Sequence, residues 1–289
     1  MMKQFLFVTM VVCMGAGLAA LSPSAVRPKP LKLTKAWETD TTLRTPESVL
    51  FDGKNTLYVA NIDGKPDGLD GNGFISKVSL SGKIENLHWT SGLNAPKGMG
   101  IYKHLLYVAD VYRLVAINIA TGQAEKTWDA IGKGAFLNDV TVDKDGTVYV
   151  SDNRSDKLYR LKDEKWELLI DGGGLNSPNG VLATRKGELM IGSTKIGALC
   201  RLDLNTQTAT PIADGMGNTD GIVSDGKGNY FVSDWNGRIF HIDADGTKEQ
   251  LLDTRADKVN SADIEYVVKK KLLVVPTFYK NSLVAYKVE

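Results

Sequence analysis

The 289-residue sequence predicts an all-β fold made of six repeated units closed into a ring, on three observations. Short alternating segments such as "TVDKDGTVYVSD" and "IVSDGKGNYFVSD" fill the chain beyond its N-terminal stretch, separated by Gly, Asp and Asn turns. Short strands at regular spacing with turn residues between them mark an all-β protein. The segments recur with a period near 40, the length of a four-stranded propeller blade. The last unit is one strand short, and the N-terminal segment can supply that strand.

The repeat is read from the second strand of each unit: Leu57-Tyr58-Val59, Leu106-Tyr107-Val108, Val148-Tyr149-Val150, Leu189-Met190-Ile191, Tyr230-Phe231-Val232 and Leu273-Val274-Val275. Counting back to the start of the preceding strand gives Glu47, Lys97, Asn138, Asn179, Asp220 and Asp263, at steps of 50, 41, 41, 41 and 43. The hairpin that follows Lys97 is one residue shorter than the others. A pair of β-sandwiches does not explain the recurring 41. After Asp263 come "IEYVV", "LLVVPT" and "SLVAYKV", and "LKLTKAW" (Leu31 to Trp37) is the candidate outer strand that hides the open edges. The expected architecture is a six-bladed β-propeller over residues 26–289, closed by an N-terminal strand in the last blade.

Residues 1–25 read as a signal peptide: Lys3, an apolar run from Phe5 to Val12, then small residues, with cleavage after Ala19, Ala20 or Ala25. The run is short and rich in Gly and Ala, which disfavours an uncleaved anchor. The chain is expected to be exported, to the periplasm or outside the cell. Removing Cys13 leaves Cys200 alone, in the strand-like "ALCRLDL", a core position without a disulfide. A formal charge of +1 provides no electrostatic footprint for nucleic acid or an acidic membrane surface. A monomer acting on a small molecule is expected, with no nucleic-acid partner and no membrane association after cleavage.

In a propeller the first strand of each blade lines the central channel, so the six counted residues converge at one mouth. Asn and Asp are turn residues in their own right, and "DKDG" (Asp143 to Gly146) and "DADG" (Asp243 to Gly246) are hairpin turns. Glu47 is not a turn residue, and three carboxylates meeting two amides repel one another without a cation. Oxygen ligands alone suit Ca²⁺ first, then Mg²⁺ or Mn²⁺; His88, His104 and His241 have no zinc spacing. The loops after the second strands bring Tyr112, Arg154, Lys195, Trp235, Phe278 and Tyr279 to the rim. Lys97 adds a positive charge to bind a substrate carboxylate or to pair with Asp263. The insertion Ile62 to Gly73 reads as a lid, as a second cation site using Asp63, Asp67 and Asp70, or as a solvated loop.

"PESVLFDGKNTLYVANI", "LNDVTVDKDGTVYVSD", "SPNGVLATRKGELMIGS" and "TDGIVSDGKGNYFVSDWNGRIFHID", in that order, resemble the senescence-marker-protein/gluconolactonase/luciferin-regenerating-enzyme family of six-bladed propellers. The resemblance implies one divalent cation held by Glu47, Asn179 and Asp220, with Asn138 on the substrate or on the metal through water. It also implies that Asp220 activates the attacking water, with Asp263 as a second catalytic carboxylate. Lys97, Trp235 and Tyr112 join Asn138 as candidates to bind the substrate. The chain departs from the family at Phe136, where sugar-lactone members carry Arg, and at Glu47-Ser48-Val49, where "EGP" is usual. The resulting expectation is a metal-dependent hydrolase of a lactone or small ester. Its rivals are a non-catalytic ligand- or partner-binding propeller with a structural cation, and another reaction of the strictosidine-synthase-like kind.

Overall fold

Three of the six inner hairpins form where an apolar alternating run meets an aspartate that folds the chain back. Asp52 Oδ1 accepts the N–H groups of Lys54, Asn55 and Thr56; Asp143 and Asp225 do the same for their own turns. This is the local bonding that makes Asp a turn residue, and "DKDG" is one of these hairpins, with Gly146 at φ +87°.

The computed structural model describes residues 30–289; the signal peptide expected over residues 1–25 lies outside them. Among the described residues, 24 strands form six four-stranded antiparallel sheets. The inner strands are Pro46–Phe51, Pro96–Tyr102, Leu137–Val142, Pro178–Ala183, Thr219–Ser224 and Glu265–Val267. The last sheet takes its outer strand from Leu33–Glu38, which pairs antiparallel with Leu283–Val288, Leu33 opposite Val288 and Trp37 opposite Ala285. The six-bladed propeller closed by its N-terminal strand is therefore the observed fold. No described helix is long and apolar enough to cross a membrane.

Apolar residues from facing blades fill the space between sheets. Val49, Val59 and Val78 of blade one pack with Val274, Leu283 and Ala285 of blade six, so the closure is also a core. Fully burying such a side chain contributes roughly 1.5–3 kcal/mol. Cys200 lies in the core between blades three and four, and burial pushes its thiol up.

Around the channel, repeated serines join one blade to the next. Ser151 Oγ accepts from Asp139 N (2.9 Å) and donates to Asn179 O (2.6 Å) in the following blade. Its counterpart Ser233 accepts from Gly221 N (2.9 Å) and donates to Ala262 O (2.8 Å). Gly98, Gly180 and Gly221 let neighbouring inner strands approach closely; a Cβ on Gly180 would lie 2.1 Å from the backbone oxygen of Asp220.

Candidate active site

The second residue of each inner strand in blades one to five faces one end of the channel. Glu47, Lys97, Asn138, Asn179 and Asp220 line a cavity of about 240 Å³ there. Its walls come from loops pinned by the acid or amide that ends the second strand in blades one, two, three and five. Asp152 Oδ1 accepts Phe136 N (3.0 Å), Asp234 Oδ1 accepts Asn218 N (3.0 Å), and Asp110 Oδ1 accepts Asn94 N and Ala95 N. Ile62, Pro66, Phe136, Trp235 and Phe278 give the cavity an apolar arc; Asn153, Thr194 and Asn218 give it a polar one.

The floor is electrostatically frustrated. Burial raises Glu47 well above the usual carboxylate range, and Asp220 adds to the rise while Lys97 opposes it. Burial also raises Asp220, followed by repulsion from Asp263, while the Asn179 side chain works the other way. Glu47 Oε2 and Asn179 Oδ1 are buried and have no hydrogen-bond partner. Buried polar groups are almost always paired, and an orphan calls for an explanation such as an ion. No three His, Cys, Asp or Glu side chains gather at metal-binding spacing among the described residues. The oxygen donors that would hold a cation here are Glu47 and Asp220 together with the amide oxygen of Asn179.

Asp263 is not the sixth member of this ring. The Ser151-to-Asn179 bond recurs as Ser233 to Ala262, which makes Ala262 the counterpart of Asn179. Ala262 packs with Ile62, Val111 and Phe278 at the mouth. Asp263 borders a separate cavity of about 300 Å³ with Asp139 and Glu265, and accepts a 2.6 Å bond from Ser48 Oγ. The cause is a hairpin one residue longer in blade six: Glu265 pairs Val274, and a 3₁₀ turn at Val268–Lys270 separates the strands.

Tyr112 also falls outside the cavity. Val111 takes the inward place in the mouth cluster, and the Tyr112 ring is exposed near the Arg113 guanidinium. Trp235 and Asn138 do line the cavity. Lys97 lines it as well, but its ammonium donates to Pro66 O (2.7 Å) and Ala95 O (2.8 Å) and does not pair with Asp263. Burial lowers it to about 8, with Glu47 holding it up.

Pro66 belongs to the insertion Ile62 to Gly73, which thus covers part of the mouth. An exposed Arg154–Asp67 pair at 3.2 Å tethers it further. Asp63, Asp67 and Asp70 do not gather into a cation site. Lys97→Met is expected to free the insertion, raising hydrogen exchange of its Gly68 amide roughly tenfold or more, since hydrogen bonds from a charged donor are worth about 1.5–3 kcal/mol. Unchanged exchange would show that the insertion holds itself in place.

The sequence profile of the SMP-30/Gluconolactonase/LRE-like region matches residues 45–262. The chain belongs to that family. No curated protein matches it. Among solved structures it is similar to a gluconolactonase of Xanthomonas campestris: TM-score 0.66, 16% identity, 90% of this chain and 95% of that one. It is also similar to the virginiamycin B lyase of Staphylococcus aureus: TM-score 0.66, 12% identity, 89% of this chain and 99% of that one. At such identities the likeness speaks for the fold, while the profile speaks for the family.

One departure of this SMP-30/gluconolactonase-like chain now has a structural setting. Phe136 stands where an Arg was expected, yet two cations meet its ring, Lys97 Nζ at 4.5 Å and the Arg154 guanidinium at 4.7 Å. Asp139, Asn153, Thr194 and Asn218 were not singled out from the sequence. Asp139 is a strut, accepting Val140 N (2.6 Å) and Val181 N (2.7 Å) of the next blade. Burial raises it to about 7 and these bonds hold it down. Its only sequence signal was adjacency to Asn138.

Proposed function

We propose that this family member is an exported, divalent-metal-dependent hydrolase of a lactone or similar small ester. The observation that carries the reading is the orphaned pair Glu47 Oε2 and Asn179 Oδ1, buried in a cavity whose floor also presents Asp220. All three ligands are hard oxygen donors, and the repulsion between the Glu47 and Asp220 carboxylates is what a cation would relieve. A divalent cation held by Glu47, Asn179 and Asp220, Ca²⁺ first, would supply Lewis-acid stabilisation of charge developing on the ester carbonyl.

The chain's own groups do the rest. Asp220 takes a proton from the attacking water, whose oxygen bonds to the carbonyl carbon. The ring C–O bond then breaks and the alkoxide regains a proton. Asn138 orients the substrate from the floor, and the apolar arc keeps bulk water away. Export rests on Lys3 and the apolar run after it; a monomer rests on radial repetition that leaves each blade only one short outer edge.

The test is acid release from a lactone panel with added Ca²⁺ or Mn²⁺ against EDTA, alongside thermal unfolding. Turnover is expected only with cation, and cation at 100 times its Kd is expected to stabilise the fold by about 2.7 kcal/mol. The binding propeller with a structural cation has one observation in its favour, the insertion drawn over the mouth through Pro66. A cation-stabilised protein that turns over no lactone would establish that second reading.

A further inference from the structure

Trp235, Phe278 and Tyr279 form a continuous aromatic wall that runs from the cavity to the outside. Their ring centroids lie 5.4, 4.7 and 6.0 Å apart, all edge-to-face. Trp235 and Phe278 line the cavity, Phe278 is 3% exposed, and Tyr279 is 63% exposed.

The backbone beneath it points the same way. Phe278 sits at φ +51°, a left-handed conformation that is an outlier for a bulky residue and costs of order 1–3 kcal/mol. The bend sends two consecutive aromatics in different directions, Phe278 inward and Tyr279 outward. The turn is held on both sides: Asn281 Oδ1 accepts Thr45 N (2.8 Å) from blade one, and Thr277 Oγ1 donates to Ser282 O (2.8 Å). Tyr279 is therefore an exposed ring on a pinned support.

Cavity size supplies the remaining step. At about 240 Å³ it is smaller than the roughly 300–1,000 Å³ that enclose a drug-sized ligand. A bare lactone ring fits on the floor, whereas a substituent on that ring must follow the wall outward. That wall offers edge-to-face partners for another ring, and its only donors are the Trp235 indole N–H and the Tyr279 hydroxyl, too few to pair a row of hydroxyls stripped of water.

We infer that the Trp235–Phe278–Tyr279 wall is a subsite for an aromatic substituent, and that the substrate class is an aryl-substituted lactone or ester. The assignment rests on the hydrolase reading for its reacting group, so its test uses binding instead of turnover. Ligand-observed NMR titrations with the full protein and Ca²⁺ would compare 2-pyrrolidinone with 5-phenyl-2-pyrrolidinone, lactams that stand in for the ester. The phenyl compound is expected to bind about tenfold more tightly or better. Tyr279→Ala is expected to cut that ratio roughly threefold to tenfold, the worth of an aromatic pair. Tyr112→Ala, an exposed ring outside the cavity, is the control and keeps the ratio.

Equal binding of the two lactams, binding of neither, or an unchanged ratio in Tyr279→Ala would overturn the subsite. A phenyl preference in a protein that hydrolyses no lactone would retain the subsite and defeat the hydrolase reading. Turnover without phenyl preference would do the reverse.

Discussion

Asp220→Asn is expected to lower lactone turnover about 10³-fold, within the range assigned to general acid–base catalysis, in a protein that still folds. The stability part of this prediction has a definite sign. Asp220 is raised in the folded protein by burial first and by Asp263 second. A carboxyl whose folded pKa lies above its unfolded one costs stability as pH climbs from the unfolded value through the folded value, and at neutral pH that cost is present. Asparagine keeps the shape and removes the charge, so the cation-free variant should melt no lower than wild type, and higher in proportion to the repulsion relieved. Added Ca²⁺ should then stabilise wild type and leave the variant nearly unmoved. Thermal unfolding with and without cation, beside the lactone assay, checks each part. A variant that melts well below wild type would make Asp220 structural, and full turnover would remove it from the chemistry.

The fold and the floor were legible in the sequence because symmetry writes them at a fixed spacing. Asn138, Asn179 and Asp220 recur at 41 residues since each opens the same strand of successive blades, and the structure places all three in one cavity. Counting fails where a hairpin changes length. Blade six adds a residue at its 3₁₀ turn, so the count landed on Asp263 when the mouth position is Ala262, a residue with no polar signal to mark it. The rim was less legible still. Whether Val111 or Tyr112 turns inward depends on packing between loops; the loop positions do bring Trp235, Phe278 and Tyr279 to the rim, but the left-handed bend that joins them into one wall is announced by no periodicity. Asp139 was hidden for a different reason: a buried strut beside Asn138 is indistinguishable from a turn aspartate until the next blade is in place.

The same packing makes Gly180→Ala a damaging substitution out of proportion to its size. The backbone there has ordinary φ, so the glycine is required for space. An added Cβ would lie 2.1 Å from the Asp220 backbone oxygen and 3.0 Å from the Ile222 side chain. Overpacking typically costs about 1–3 kcal/mol, occasionally more, and here the obstacle is backbone that cannot rotate aside. Relief demands that blades four and five separate, which loosens the contact that sets Asn179 and Asp220 side by side. A loss near 3 kcal/mol corresponds to a fall in Tm of roughly 6–12 °C for a domain of this size. The damage should reach function too, because cation binding depends on the displaced strand: Ca²⁺ should rescue the variant less than it stabilises wild type. Gly192→Ala, whose Cβ would stand 3.3 Å from the same oxygen, should cost distinctly less. Equal melting of the two variants would mean that the channel walls yield, and the close approach of inner strands would then not be what fixes the floor.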